Sequence, residues 1–261
     1  MAGENGRGPA LVVDAVSKSF GAVKAVEEVG FEVERGSLTC LIGPNGAGKS
    51  TLLHCISGFL RQERGRITLE ESDVSRWPAY RRARGGLGTV FQVTRPPHDL
   101  NVLDSTMVGC HAWTRTGFLE GILKPPWQWR EESLIRTEAE AALEEVGLAE
   151  RAHDPADELP LGQLRLVAIA RALAQRPRVL LLDEPVAGLR AAEKQRLAKV
   201  FRDLRERGLT QIVVEHDMQF VGSVAERVIV LDRGRVIADG PPEQVRADQR
   251  VIEAYLGTAT L

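Results

Sequence analysis

The amino-acid sequence predicts an α/β protein built on a largely parallel sheet, with an all-helical stretch inserted into it. Three observations carry this prediction. Short apolar runs such as LTCLI (38–42), VLLLD (179–183) and QIVVE (211–215) have the length and composition of strands buried on both faces. They alternate with segments of helical spacing, the pattern that gives parallel strands with helices packed on them. Between the two halves of that pattern, residues from about 93 to 160 read as helix and turn throughout.

The elements follow in order. LVVDAV (11–16) and the alternating GFEVE (30–34) read as strands, and LTCLI ends at a glycine. A helix is expected from about 49 to 58, stopping at Gly58, and RITL (66–69) and GTVF (88–91) are further strands. Asn101, with Asp104 three residues on, is the N-cap of a helix expected to run towards Trp113. Pro125 and Pro126 break RTGFLEGILKPPWQWR (115–130). From about 132 to 146, Ile135, Ala139, Ala142, Leu143 and Val146 keep helical spacing, and another helix starts near 162. After VLLLD comes a helix over 191–207 with Leu197, Val200, Phe201 and Leu204 on one face. Strands QIVVE, RVIVL (227–231) and RVIAD (235–239) then close the chain's α/β frame.

Composition narrows the function. The chain has 261 residues, 43% hydrophobic and 27% charged, enough for a large domain with a substantial core. Its formal net charge of −2 and lack of a long basic run argue against non-specific nucleic-acid binding. RRAR at 81–84 is the densest basic cluster and is expected to be a solvated helix face. No apolar run is long enough to span a membrane, and MAGENGRGPA has no signal-peptide core. Cys40, Cys55 and Cys110 are widely spaced, which suggests reduced core thiols in a cytosolic protein.

The chemistry sits at the strand ends. GPNGAGKS (43–50) fits G-x-x-x-x-G-K-[ST] directly after a strand and at the start of a helix. Gly43, Asn45, Gly46 and Gly48 belong to a loop whose backbone N–H groups curl around phosphate oxygens, aided by the helix dipole. Lys49 is expected to reach the β- and γ-phosphates of ATP, Ser50 to bind Mg²⁺, and Thr51 to approach the α-phosphate. Asp183 ends VLLLDEP (179–185) and is placed to hold Mg²⁺, while Glu184 is placed to polarise an attacking water. His216 follows QIVVE in the corresponding position, and Gln92 closes GTVF, where an amide meets Mg²⁺ or the water.

These residues in this order resemble the ATP-binding-cassette ATPases: the phosphate loop, Gln92, the LPLGQ turn (159–163), LLLDEP and His216. The resemblance covers nearly the whole chain. It implies a P-loop NTPase (RecA-like) core with a parallel sheet, an antiparallel β subdomain and an inserted α-helical subdomain. One cassette domain is expected over 1–261, with 1–92 and 161–261 as the nucleotide-binding core and 93–160 as the helical subdomain. Phe20 would stack on adenine. Gly162 and Gln163 of the LPLGQ turn would close on the γ-phosphate held by a second subunit. The usual signature is Leu-Ser-Gly-Gly-Gln, so Pro160 and Leu161 depart from it, as does Arg190, where the family has aspartate or asparagine.

Within the family, the altered signature, the long 115–130 insertion and the ending VIEAYLG resemble the ATPases of branched-chain amino-acid importers. That resemblance implies a second cassette ATPase, either a second copy of this chain or, favoured by the resemblance, a different but similar one. It also implies two membrane permeases and a location on the inner face of the cell membrane. Trp127 and Trp129 belong either to a docking surface or to the domain's own packing. Cargo stays open to urea, short amides or a lipid. A soluble cassette ATPase acting on ribosomes or DNA fits poorly, because such proteins usually carry two cassettes or long coiled-coil insertions.

Overall fold

The computed structural model describes residues 8–91, 99–113 and 126–256, with the side chains of 126–129 and Leu256 excluded. Two sheets organise it. The larger has the order β10–β9–β3–β8–β7–β6. Its strands are β3 (Leu38–Ile42), β6 (Leu87–Val90), β7 (Val179–Asp183), β8 (Thr210–Val214), β9 (Arg227–Asp232) and β10 (Arg235–Gly240). All pair in parallel except β10, which returns along β9 through a turn at Arg233 and Gly234. Both turn residues have positive φ, 46° and 78°, as a tight hairpin of this hand requires.

The strands are continuously apolar because both faces of this sheet are covered. Cys40, Ile42, Leu180, Leu182, Val213, Val228 and Val230 point into one core, while Leu41, Leu181, Ile212, Val214 and Ile229 point into another. The second core is closed by helix α1 (Lys49–Ser57), through Leu52, Leu53 and Ile56, and by a four-stranded antiparallel sheet. That sheet runs β2–β1–β4–β5, with β1 Leu11–Phe20, β2 Val23–Val33, β4 Arg64–Leu69 and β5 Ser72–Asp73. Both β1 and β2 are longer than sequence alternation indicates. Register shifts between Val13 and Val16 and beyond, with positive φ at Ala15 and Glu28, interrupt the two-residue period that marks a strand.

Two further helices follow: α2 (Ala79–Arg84), between the sheets' ends, and α3 (Val102–Met107). The Asn101 side chain accepts the Asp104 N–H at 2.7 Å, the expected N-cap. The α-helix stops at Met107, though, and continues to Ala112 as a 3-10 turn. There Gly109 lies so close to the helix over Leu161–Leu173 that an added Cβ would be 1.9 Å from the Arg171 carbonyl. Helix α4 begins at Pro126 and runs to Glu145, earlier than the periodicity suggests, since proline is tolerated in a first turn. The expected apolar face is present, with Ala139, Ala142, Leu143 and Val146 buried.

Helix α5 (Leu161–Leu173) packs on α3 and α4, and α6 (Ala191–Glu206) buries Leu197, Val200, Phe201 and Leu204 against the sheet. Short helices α7 (Met218–Val224), α8 (Pro242–Ala247) and α9 (Gln249–Leu256) complete the described chain. The RRAR expectation needs correction. Arg82 is 1% exposed, because its guanidinium is the hydrogen-bonding partner of carbonyls that end α1. All three cysteines are free and buried, and burial pushes the Cys55 and Cys110 thiols up to about 11.

Candidate functional site

The loop over 43–48 connects β3 to α1, so its shape follows from where that strand and helix lie. Gly48 is the N-cap of α1 with φ 100°, and a Cβ there would sit 2.1 Å from the Ala25 carbonyl. Only glycine takes both that conformation and that approach. The β9–β10 turn braces the loop from behind, with the Gly234 N–H donating to the Ala47 carbonyl at 2.9 Å. Asn45, Gly46 and Ser50 are exposed, and Thr51 is half-buried. Phe20 stands 52% exposed at the tip of the β1–β2 hairpin whose Ala25 touches Gly48, with the Lys18 ammonium 5.5 Å from its ring centre.

Lys49 is 7% exposed and donates to the carbonyls of Gly43 and Pro44 at 2.8 and 3.0 Å. Burial pulls its pKa down, and the carboxylates of Glu184 and Asp183 oppose that pull. Asp183 is 8% exposed, and its Oδ1 is buried without a hydrogen-bond partner. Its carboxyl is raised, first by burial and then by the neighbouring Glu184, with His54 and Lys49 acting the other way. A buried acceptor left unpaired costs stability, so a cation is the natural complement to this oxygen. Among the described residues no group of three His, Cys, Asp or Glu side chains surrounds a common point. A cation here would therefore take further ligands from phosphate oxygens and water.

Glu184 adopts φ 46°, unusual for a side chain of this size, and its N–H donates to the Val214 carbonyl at 2.9 Å. That turn directs the carboxylate towards β8's end, where Glu184 Oε1 lies 3.7 Å from His216 Nδ1. The residue that sets this geometry carries no motif in the sequence. Glu215 is fully buried, accepting the Val186 N–H at 2.9 Å and the His216 N–H at 3.1 Å. It thereby ties the loop after β7 to the loop after β8. Burial raises its pKa, and the backbone N–H groups of Val186, His216 and Asp217 oppose the rise. The signal was a charged residue ending an otherwise apolar strand.

Phosphate loop, Asp183, Glu184 and His216 thus converge, while Gly162 and Gln163 have other neighbours. Pro160 caps α5, its carbonyl accepting the N–H groups of Gln163 and Leu164 at 2.9 and 3.0 Å. Gly162 packs against Glu193, where a Cβ would sit 2.4 Å from Oε1. Gln163 Oε1 accepts from Arg151. Leu161 is 42% exposed and borders Gly188, two residues before Arg190. Arg190 caps α6 and its N–H donates to Glu193 at 2.8 Å. Gln92 lies outside the described residues, as do the side chains of Trp127 and Trp129. Helix α9 adds a proximity not anticipated: the half-buried Tyr255 brings its hydroxyl beside the backbone of Gly43, and burial raises its pKa.

Comparison with known proteins finds relatives that match nearly the whole chain. The family described as ABC transporter matches residues 26–187, and the one described as branched-chain amino acid ATP-binding cassette transporter matches residues 235–260. The high-affinity branched-chain amino acid transport ATP-binding protein BraF of Pseudomonas aeruginosa is 38% identical, over 96% of this chain and 99% of its own length. LivG of Salmonella typhimurium, named for the same transport, is 37% identical over the same shares. Among solved structures, the ADP conformation of an ATP-binding cassette of an ABC transporter superposes with a TM-score of 0.84 at 30% identity, covering 95% of this chain and 99% of that one.

Proposed function

Because this chain belongs to the ABC transporter family and is a nucleotide-binding ATPase subunit of that kind, we propose that it drives an importer of branched-chain or related hydrophobic amino acids. The observation that carries the cargo is the likeness to BraF and LivG over 96% of the chain, joined to the match at residues 235–260.

In this reading the phosphate loop, with Gly43, Asn45, Gly46, Gly48 and Thr51, binds the phosphates of ATP, and Phe20 stacks on the base. Lys49 leaves its own carbonyls for the β- and γ-phosphates. Ser50 and Asp183, with Gln92, hold Mg²⁺, which when bound neutralises phosphate charge. Glu184 takes a proton from the attacking water, and His216, steadied by Glu215, orients that water and the γ-phosphate. Residues 1–92 and 161–261 act as the nucleotide core and 93–160 as the helical unit.

Gly162 and Gln163 sit in a turn whose described contacts run to Glu193 and Arg151, not to the phosphate loop of the same chain. This supports a head-to-tail pair with a second cassette ATPase, in which each turn serves its partner's nucleotide. No helix of the described residues is long and apolar enough to cross a membrane, so separate permeases would form the channel. A groove between α2 and the 3-10 turn suits them. It is lined by Tyr80, Arg84, Val108, His111, Arg171 and Gln175, and Tyr80 and Val108 are 67% and 45% exposed. Docking there puts the subunit on the cytoplasmic face.

The test is to recover this chain from its native membranes in mild detergent and identify its companions. Two permeases and a second cassette ATPase, with leucine uptake lost when the chain is deleted, are expected. Recovery with ribosomal proteins alone would overturn the transport reading.

A further inference from the structure

Helix α2 touches both the nucleotide helix and the groove, and one side chain makes the inner contact. Arg82 Nη1 donates to the Cys55 and Ile56 carbonyls, each at 2.7 Å, in the last turn of α1. Its Nε donates to the Trp77 carbonyl at 3.0 Å and its Nη2 to Ser75 at 3.3 Å. A guanidinium is suited to this, since its planar fork serves several acceptors at once. The carbonyls ending a helix lack intrahelical partners and carry the negative end of its dipole, so a cation there fixes the helix end. Gly58 leaves room for the contact: a Cβ on it would be 2.8 Å from Arg82 Nε.

The contacts of Arg82 are all to carbonyls, with no carboxylate among them, and burial pulls its pKa down to about 10. A buried cation whose hydrogen bonds all go to main-chain carbonyls, with the charge of Asp73 only partly offsetting its burial, costs more than an apolar side chain that merely filled the space. The other side chains of α2 face outward or sideways. Tyr80 and Arg84 line the groove, and Arg84 Nε donates to the Ala112 carbonyl of the 3-10 turn at 3.2 Å. Six residues of helix therefore link the end of the phosphate helix, the groove and the helical unit.

We propose that Arg82 is a positioning residue that makes α2 follow α1, so that engagement of phosphate at Lys49 displaces the groove where a permease docks. Helix α1 acts as a rod, gripped by ligand at its first residue, Lys49, and by Arg82 at its last turn. The transmission is thus by direct hydrogen bonds along one path. This rests on the docking reading for its meaning, but the motion itself is a property of this chain alone.

The experiment places an environment-sensitive fluorophore on Tyr80→Cys in the full chain and adds MgATP, with nucleotide affinity measured in parallel by calorimetry. The buried native thiols stay unlabelled. MgATP is expected to shift the emission in the labelled protein. Arg82→Gln should keep ATP affinity within about twofold and lose most of the shift. Arg82→Lys keeps the charge but reaches fewer of the four carbonyls, and should retain a reduced shift; it also serves if Arg82→Gln does not fold. A full shift in either variant, or none in the Tyr80→Cys protein with Arg82 intact, overturns the proposal. A shift that behaves as expected while Tyr80→Cys forms no cross-link to any permease in the assembled complex would instead sink the docking reading and leave the linkage standing.

Discussion

Glu184 Oε1 and His216 Nδ1 stand 3.7 Å apart at the ends of neighbouring strands β7 and β8, one carboxylate and one imidazole converging on the same point in front of the phosphate loop. If Glu184 is the base, Glu184→Gln keeps MgATP binding, lowers steady-state hydrolysis at least about 100-fold and accumulates the closed pair. Hydrolysis at the parental rate would remove Glu184 from that role. His216→Ala should also lower kcat, with a smaller change in ATP affinity.

Lys49 donates to two backbone carbonyls of its own loop, and burial already lowers its pKa. Lys49→Ala should weaken ATP binding by at least about 100-fold, as lost charge-assisted hydrogen bonds of about 1.5–3 kcal/mol each require. Thermal stability should hardly fall, because a partly desolvated charge is removed with it. Calorimetry and a melt on the same sample check both parts.

Asp183 titrates higher than an ordinary aspartate because it is buried and lies beside Glu184. A raised carboxyl takes up its proton earlier as pH falls, so protons compete with Mg²⁺ while exposed aspartates are still ionised. The Mg²⁺ concentration needed for half-maximal hydrolysis should rise on acidification, starting above the ordinary aspartate range. Asp183→Asn should raise it at every pH and flatten the dependence. A requirement that stays constant with pH in the parent would count against Asp183 as ligand.

Pro160 and Leu161 replace a hydroxyl donor and a glycine in the turn that faces the partner's nucleotide in our reading. Pro160→Ser restores one donor, and hydrolysis by the assembled pair should rise roughly tenfold, the lower end of what such a bond contributes. Leu161→Gly removes the exposed side chain that borders Gly188 and should add to it. No change in the assembled pair would show that the backbone N–H groups of this turn suffice.

Glu215 is buried with a raised pKa, so the folded protein holds its proton more tightly than the unfolded chain does. Stability from this group is therefore highest at low pH, falls as pH rises through the carboxylate range, and levels off once the folded group ionises. Glu215→Gln removes that slope. Its melting temperature should gain on the parent's as pH rises across that range, while kcat drops through misplacement of His216. A gap between the two melts that is independent of pH would show that the charge plays no part.

Much of this was legible in the sequence for physical reasons. Strands buried on both faces appear as unbroken apolar runs, and a phosphate loop needs glycines at fixed spacing, so LTCLI, VLLLD and GPNGAGKS were unmistakable. The first strands were only partly legible, because bulges at Ala15 and Glu28 break the alternation that reveals an edge sheet. Arg82 departs from the expected solvated face for a different reason. Its partners are main-chain carbonyls, those of Cys55 and Ile56 far back along the chain, and carbonyls leave no trace in the residue types. Glu215 was hidden likewise, since its partners are backbone N–H groups.

The chain contains two tyrosines, and the fold sends them to opposite ends of the path described above: Tyr80 to the groove beside α2, Tyr255 to the backbone of Gly43 at the root of the phosphate loop. Biosynthetic incorporation of 3-fluorotyrosine would therefore give a fluorine NMR spectrum of two resonances, one exposed and one half-buried, without any engineered residue. The first would report on the groove proposed as the docking surface and the second on the loop at Gly43, in the same tube and at the same moment. A titration with ADP or ATP would then reveal whether the two ends change together or one after the other.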